Sequence, residues 1–128
     1  MMFQDPRYQI QVEAVAAYIA KHSDPAVNRY VFTYTVVIKN QGTLPAQLIE
    51  RFWKITNSVG QVREVHGDGV VGEQPTLVPG DQFTYTSGAI LETPAGTMEG
   101  YFNMISADGE NFRAVIPLFP LINPSALH

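Results

Sequence analysis

The chain reads as an all-β protein, an immunoglobulin-like or fibronectin type III-like β-sandwich of about seven to eight strands. Three observations carry this reading. Residues Arg29 to Asn40 alternate strictly, with Tyr30, Phe32, Tyr34, Val36 and Ile38 on one side and Val31, Thr33, Thr35, Val37 and Lys39 on the other. Side chains of a strand point alternately to its two faces, so the first set makes one continuous apolar face. Runs of the same kind recur, separated by turn residues at roughly eight- to twelve-residue spacing. A lone tryptophan, Trp53, falls on the third long run, where such sandwiches bury one.

The elements follow in order. Tyr8 to Ala20 opens as Tyr8, Ile10 and Val12 against Gln9, Gln11 and Glu13; its alanines permit a helix, but Val12, Val15 and Ile19 and the absence of a cap favour strand. His22 to Asn28 contains Ser23-Asp24-Pro25 and reads as a turn. The long central strand Arg29–Asn40 comes next. Pro45 then opens Ala46 to Thr56, whose Gln47, Ile49, Arg51, Trp53 and Ile55 share a side. Val62 to Val65 is a short strand. His66 to Asp81, rich in Gly and Pro, is the longest irregular stretch, and such stretches are usually functional or packed by their own side chains. Gln82 to Ser87 alternates through Phe83 and Tyr85. Met98–Ala107 and Phe112–Phe119 flank Asp108-Gly109, a tight-hairpin signal, and Pro117, Pro120 and Pro124 end the sheet. The whole of 1–128 forms one domain, with its ordered core at 8–120.

Composition narrows the function classes. A chain of 128 residues is one domain by size. It buries roughly two-thirds of its unfolded surface, so its 45% hydrophobic content needs no covalent or metal staple. With no cysteine, disulfides, thiolate-ligated zinc and a cysteine nucleophile are excluded. The segment Met1 to Arg7 has no apolar core, so no signal peptide is expected, and the cytoplasm is the expected location. No run approaches the roughly 20 apolar residues of a membrane helix, so no membrane insertion is expected. A net charge of −4, with eight scattered Lys and Arg, argues against a nucleic-acid partner.

Gly67-Asp68-Gly69-Val70-Val71-Gly72 matches G-x-G-x-x-G. In dinucleotide-binding folds such glycines let backbone N–H groups approach a pyrophosphate at a helix N-terminus. Here Glu73-Gln74-Pro75 and then Pro79-Gly80 follow, and they cannot open a helix of any length. The same glycines serve a loop needing positive φ or close packing. Gly67, Gly69, Val70, Val71, Gly72, Glu73, Gln74 and Pro75 form the candidate binding loop. His66, Asp68, Glu73 and Asp81, with Glu64, are oxygen- and nitrogen-bearing but match no regular metal-ligand spacing, so no metal site and no cofactor are assigned. Of the histidines His22, His66 and His128, none sits in a catalytic motif, and no catalytic residue is assigned. Arg51-Phe52-Trp53 places a cation and an indole on one face; either Arg51 stacks on an aromatic ring or Trp53 packs in the core with Arg51 at its rim.

Several motifs together resemble the ApaG family. They are Tyr30-Val31-Phe32-Thr33-Tyr34, Arg51-Phe52-Trp53, Gly69 to Pro75 with Pro79-Gly80, Tyr85-Thr86-Ser87-Gly88, Thr93-Pro94 through Met98, and Ile116-Pro117-Leu118-Phe119. The resemblance spans essentially the whole chain and implies a fibronectin type III-like sandwich. It also implies a bacterial link to cobalt resistance and magnesium efflux, and, from related eukaryotic domains, a role in protein recognition. It supplies no catalytic residues.

Scaffold, absent catalytic motifs and resemblance together lead to a non-enzymatic module that binds a protein partner through the 66–81 loop or an exposed sheet edge. The alternative is a small-molecule binder, taking a pyrophosphate, nucleotide or divalent cation at Gly67–Gly72. An enzyme assembled from loops is the remaining class. Edge strands such as Tyr8–Ala20 also offer pairing between protomers, so a homo-oligomer is open.

Overall fold

The structure is a computed structural model and describes residues 5–127. Eight strands follow in order: β1 (Ile10–Tyr18), β2 (Tyr30–Asn40), β3 (Ala46–Asn57), β4 (Val62–Asp68), β5 (Thr76–Leu77), β6 (Gln82–Leu91), β7 (Ala95–Ser106) and β8 (Asn111–Ile122). Short 3-10 turns at Ala20–His22, Pro25–Val27 and Pro124–Leu127 complete the described chain. The strands form a β-sandwich. One sheet has the order β1-β2-β6; the other has β4-β3-β7-β8, with β5 on the same edge of β3 as β4. Every pairing is antiparallel.

The alternation in β2 places Phe32, Tyr34, Val36 and Ile38 in the space between the sheets. They meet Trp53, Phe102, Met98, Met104, Ile116 and Leu121 of the opposite sheet. Burying a side chain such as Phe32 or Phe102 stabilises by roughly 1.5–3 kcal/mol. Trp53 lies edge-on to Tyr34 of the opposite sheet (5.2 Å) and to Phe119 of its own (5.9 Å), so the indole packs the two layers together. Buried Asn40 closes the end of β2. Its amide donates to the carbonyls of Leu44 and Leu77, and its Oδ1 accepts from the Gly42 N–H, so the buried group is paired.

Three readings of the sequence need correction. Residues 66–81 are not wholly irregular: β4 continues past Val65 to Asp68, and Thr76–Leu77 pairs with Ala46–Gln47. Gln47 and Ile49 do not share a face with Trp53 and Ile55. A bulge between Leu48 and Glu50 leaves Ile49 without a partner on β7, so Ala46 and Leu48 face inward before it and Trp53 and Ile55 after it. Pro117 and Pro120 do not end the sheet. They lie within β8, which pairs only with β7, and an edge strand tolerates a missing N–H that points away from the ladder. Among the described residues no helix is long and apolar enough to cross a membrane.

Candidate functional site

The glycine-bearing segment is a tight hairpin. Val70 and Glu73 exchange backbone bonds, Val70 N–H to Glu73 O (2.8 Å) and Glu73 N–H to Val70 O (2.9 Å). Val71 and Gly72 between them have φ of +43° and +81°, the signs of a two-residue type I′ turn. Val70 is fully buried in the core, while Val71 stands 56% exposed at the tip. Gly69, with φ +61°, donates its N–H to Ile49 O (2.8 Å), and a Cβ there would lie 2.2 Å from Glu73 O. Gln74 Nε2 donates to the same Ile49 carbonyl (2.9 Å), and Pro75 O accepts from Leu48 N–H (3.0 Å). The loop is therefore sewn onto the bulge of β3. The N–H groups of Gly69, Val70 and Glu73 are occupied by protein carbonyls and are not aimed outward at a ligand.

Gly67 sits within β4 opposite Arg51, and its role is to make room. A Cβ at Gly67 would fall 2.5–2.6 Å from the Arg51 guanidinium. The guanidinium lies in that gap and Nη1 donates to the carbonyls of Asp68 and Gly69, each at 3.0 Å. It stacks on no ring, whereas Trp53 is 2% exposed, so the two fit the reading of an indole in the core with the cation at its rim.

Arg51 and Trp53 border a groove of about 600 Å³ that opens between β4 of one sheet and β6 of the other. Tyr34, Val65 and Met98 line it further, and Arg63 closes one end by donating from Nη2 to Ile90 O (3.2 Å). No Asp or Glu lines the groove. Every ion pair among the described residues involves Arg7, so Arg51 and Arg63 have no carboxylate partner. Beyond Ser87, at the other end of β6, Phe83 and the loop residues Glu73 to Thr76 line a shallow depression. Among the described residues, buried Tyr85 on β6 has no hydrogen-bond partner for its Oη, nor has Trp53 for Nε1. Burial pushes the Tyr85 phenol well above its ordinary range, with Tyr34 adding to the rise and Arg51 opposing it.

The comparisons with known proteins agree with one another. A family model for the ApaG domain matches residues 20–106. Protein ApaG of Aromatoleum aromaticum is 52% identical over 127 residues, covering 99% of this chain and 100% of that protein. The chain belongs to the ApaG family. Protein ApaG of Enterobacter sp. is 50% identical over the same coverage. A crystal structure from Bordetella pertussis, assigned to an ApaA protein, superposes with a TM-score of 0.89 at 46% identity, covering 91% of this chain and 95% of that one.

In this ApaG-family chain the two sheets have four edges, one of them shared by β4 and the two-residue β5, and the edges differ in how they are protected. β8 carries Arg113, Pro117 and Pro120; β4 carries Arg63, Glu64, His66 and Asp68; β1 carries Glu13 and runs beside β8. β6, ten residues long, has no charge and no proline. Charges, prolines and coverage are the usual guards against strand addition, and β6 lacks the first two. Asn40 N–H bonds Asp81 O, which fixes the ladder phase: odd residues of β6 bond to β2, and the backbones of Thr84, Thr86, Gly88 and Ile90 point off the edge. Of these, only Ile90 O is taken among the described residues, by Arg63.

The sequence reading named the 67–75 loop and, more generally, an exposed sheet edge as binding candidates, and singled out neither β6 nor Arg63. The available signal was the charge-free run Gln82–Leu91, but which strand forms an edge depends on topology. It also missed an aromatic stripe on the outer face of β4-β3-β7-β8. Phe52 stacks on Tyr101 (4.9 Å) and meets His66 (4.6 Å), and Arg113 lies 4.1 Å over Tyr101. Among the described residues no three His, Asp or Glu side chains gather as a cation site.

Proposed function

We propose that this ApaG-family chain is a non-enzymatic protein-interaction module that captures an extended segment of a partner along the edge of β6. The carrying observation is that β6, alone among the four edges, presents a long, uncharged, proline-free strand whose outward backbone groups lack partners among the described residues over Thr84 to Gly88. Adding a strand there supplies main-chain hydrogen bonds for affinity, and alternate side chains of the segment enter the groove for specificity. The groove lining holds no histidine and no carboxylate, the side chains that most often act as general bases, which supports the non-enzymatic reading. The small-molecule reading at Gly67–Gly72 is the weaker one, because the N–H groups of Gly69, Val70 and Glu73 are already bonded to carbonyls of this chain. On this reading the cobalt-resistance and magnesium-efflux setting implied by the resemblance acts through the partner, in the cytoplasm, rather than through a metal held by this chain.

Thr84→Pro tests it. The Thr84 N–H points off the edge, so proline there blocks a docking strand while sparing the ladder to β2. Proteins captured from a bacterial extract by the wild-type chain should be lost with Thr84→Pro and kept with Val71→Asp at the hairpin tip. Loss with Val71→Asp and retention with Thr84→Pro would move the site to the loop.

A further inference from the structure

The β6 edge explains capture of a strand but not which strand, and the groove beneath it carries that information. Resting on the proposed strand capture, we infer that the segment taken up is acidic, and that Arg51 receives one of its carboxylates inside the groove.

The charge arrangement is the first ground. The chain as a whole is acidic, at −4, yet this groove is lined by two arginines and no acid. A guanidinium that is half withdrawn from water and has no carboxylate is an incomplete pair. Arg51 is withdrawn in this way, and Arg63 stands at the groove end beside Ile90.

The second ground is that Arg51 is seated deliberately. Gly67 contributes the space, and the carbonyls of Asp68 and Gly69 hold Nη1, which leaves Nε and Nη2 without protein acceptors. A guanidinium fixed by one nitrogen offers its remaining donors in a set direction, as carboxylate recognition requires. The glycine-bearing segment is thus an arginine mount rather than a phosphate cradle.

The third ground is alternation. A strand added to β6 sends every second side chain into the groove. Apolar walls from Trp53, Val65 and Met98 suit aliphatic side chains, with an aspartate or glutamate where Arg51 lies. A second copy of this chain fits poorly, because its β6 would bring no carboxylate to the arginines.

Selection from a displayed library of random octapeptides tests the inference. Sequences selected on the wild-type chain should carry Asp or Glu flanked at alternate positions by aliphatic residues. They should bind at least about tenfold more weakly to Arg51→Gln, and to Gly67→Ala, which keeps the charge but displaces it. Trp53 is the single tryptophan and borders the groove, so its fluorescence reports both binding and an intact fold in each variant. Acid-free peptides that bind Arg51→Gln as well as wild type, yet fail on Thr84→Pro, would overturn the acidic segment and leave strand capture standing. Peptides indifferent to Thr84→Pro, or no peptides at all, would overturn both. Self-association lost with Thr84→Pro would make a second copy the occupant and also overturn the inference.

Discussion

The Arg51 guanidinium occupies the space that a side chain at Gly67 would fill. The two residues face each other across the β3–β4 ladder, so one position is small because the other is large. This predicts a non-additive pair. Gly67→Ala should cost at most about 1 kcal/mol, because it dislodges the bonds from Nη1 to Asp68 O and Gly69 O but displaces only the movable end of the Arg51 side chain. In an Arg51→Ala background the same alanine should cost close to nothing, since the clash and the bonds are already gone. Denaturant unfolding of the four proteins of that cycle gives the coupling directly.

Val71 holds φ of +43°, a conformation costly for a β-branched residue, at an exposed hairpin tip. Val71→Asn should therefore stabilise the fold by about 1 kcal/mol, because asparagine before Gly72 suits a type I′ turn. The shift in thermal midpoint checks it. If recognition lies along β6, the same variant should bind selected peptides as the wild type does.

Tyr85 carries a buried hydroxyl with no partner among the described residues. Tyr85→Phe should leave the packing intact and raise stability by about 1 kcal/mol, the approximate cost of an unsatisfied polar atom. Chemical denaturation at neutral pH measures this, where the raised phenol is un-ionised in either state.

The segment before β1 is tied to the β7–β8 hairpin. Tyr8 Oη donates to Asp108, and Arg7 lies 3.7 Å from the same carboxylate. The hydrogen bond holds the Asp108 carboxyl below its ordinary 3.8 and pushes the Tyr8 phenol from 10.0 up to about 12. A depressed acid stabilises above its unfolded value and loses that share as pH falls through its folded value; a raised phenol stabilises below pH 10 and loses it as pH rises toward 12. The tether should therefore hold across neutral pH and release at both extremes. Tyr8→Phe should return Asp108 toward 3.8 in a carboxyl NMR titration.

The fold was legible because β2 alternates without interruption and the turn residues fall between runs. Phe32, Tyr34, Val36 and Ile38 are buried as the period of two requires. The pattern failed where one residue breaks the period: Ile49 is extra on β3, and a single bulge reverses which neighbours face the core. Pro117 and Pro120 misled because proline breaks a central strand but not an edge, and edge status is a property of topology. The Arg51-Phe52-Trp53 segment left two readings open, and the structure fits the one with Trp53 in the core and Arg51 at its rim. That the rim opens into a groove with Arg63, and that Gly67 serves Arg51, depends on the cross-strand register, which composition and motif spacing do not encode.

The most direct test of the central claim is an NMR titration of the ¹⁵N-labelled chain with an octapeptide selected on it. The account predicts saturable shifts and slowed hydrogen exchange at the off-edge amides of Thr84, Thr86 and Gly88, with the hairpin amides of Gly69 and Gly72 little changed. Shifts confined to Gly69 and Gly72, with the β6 amides unmoved, would contradict it.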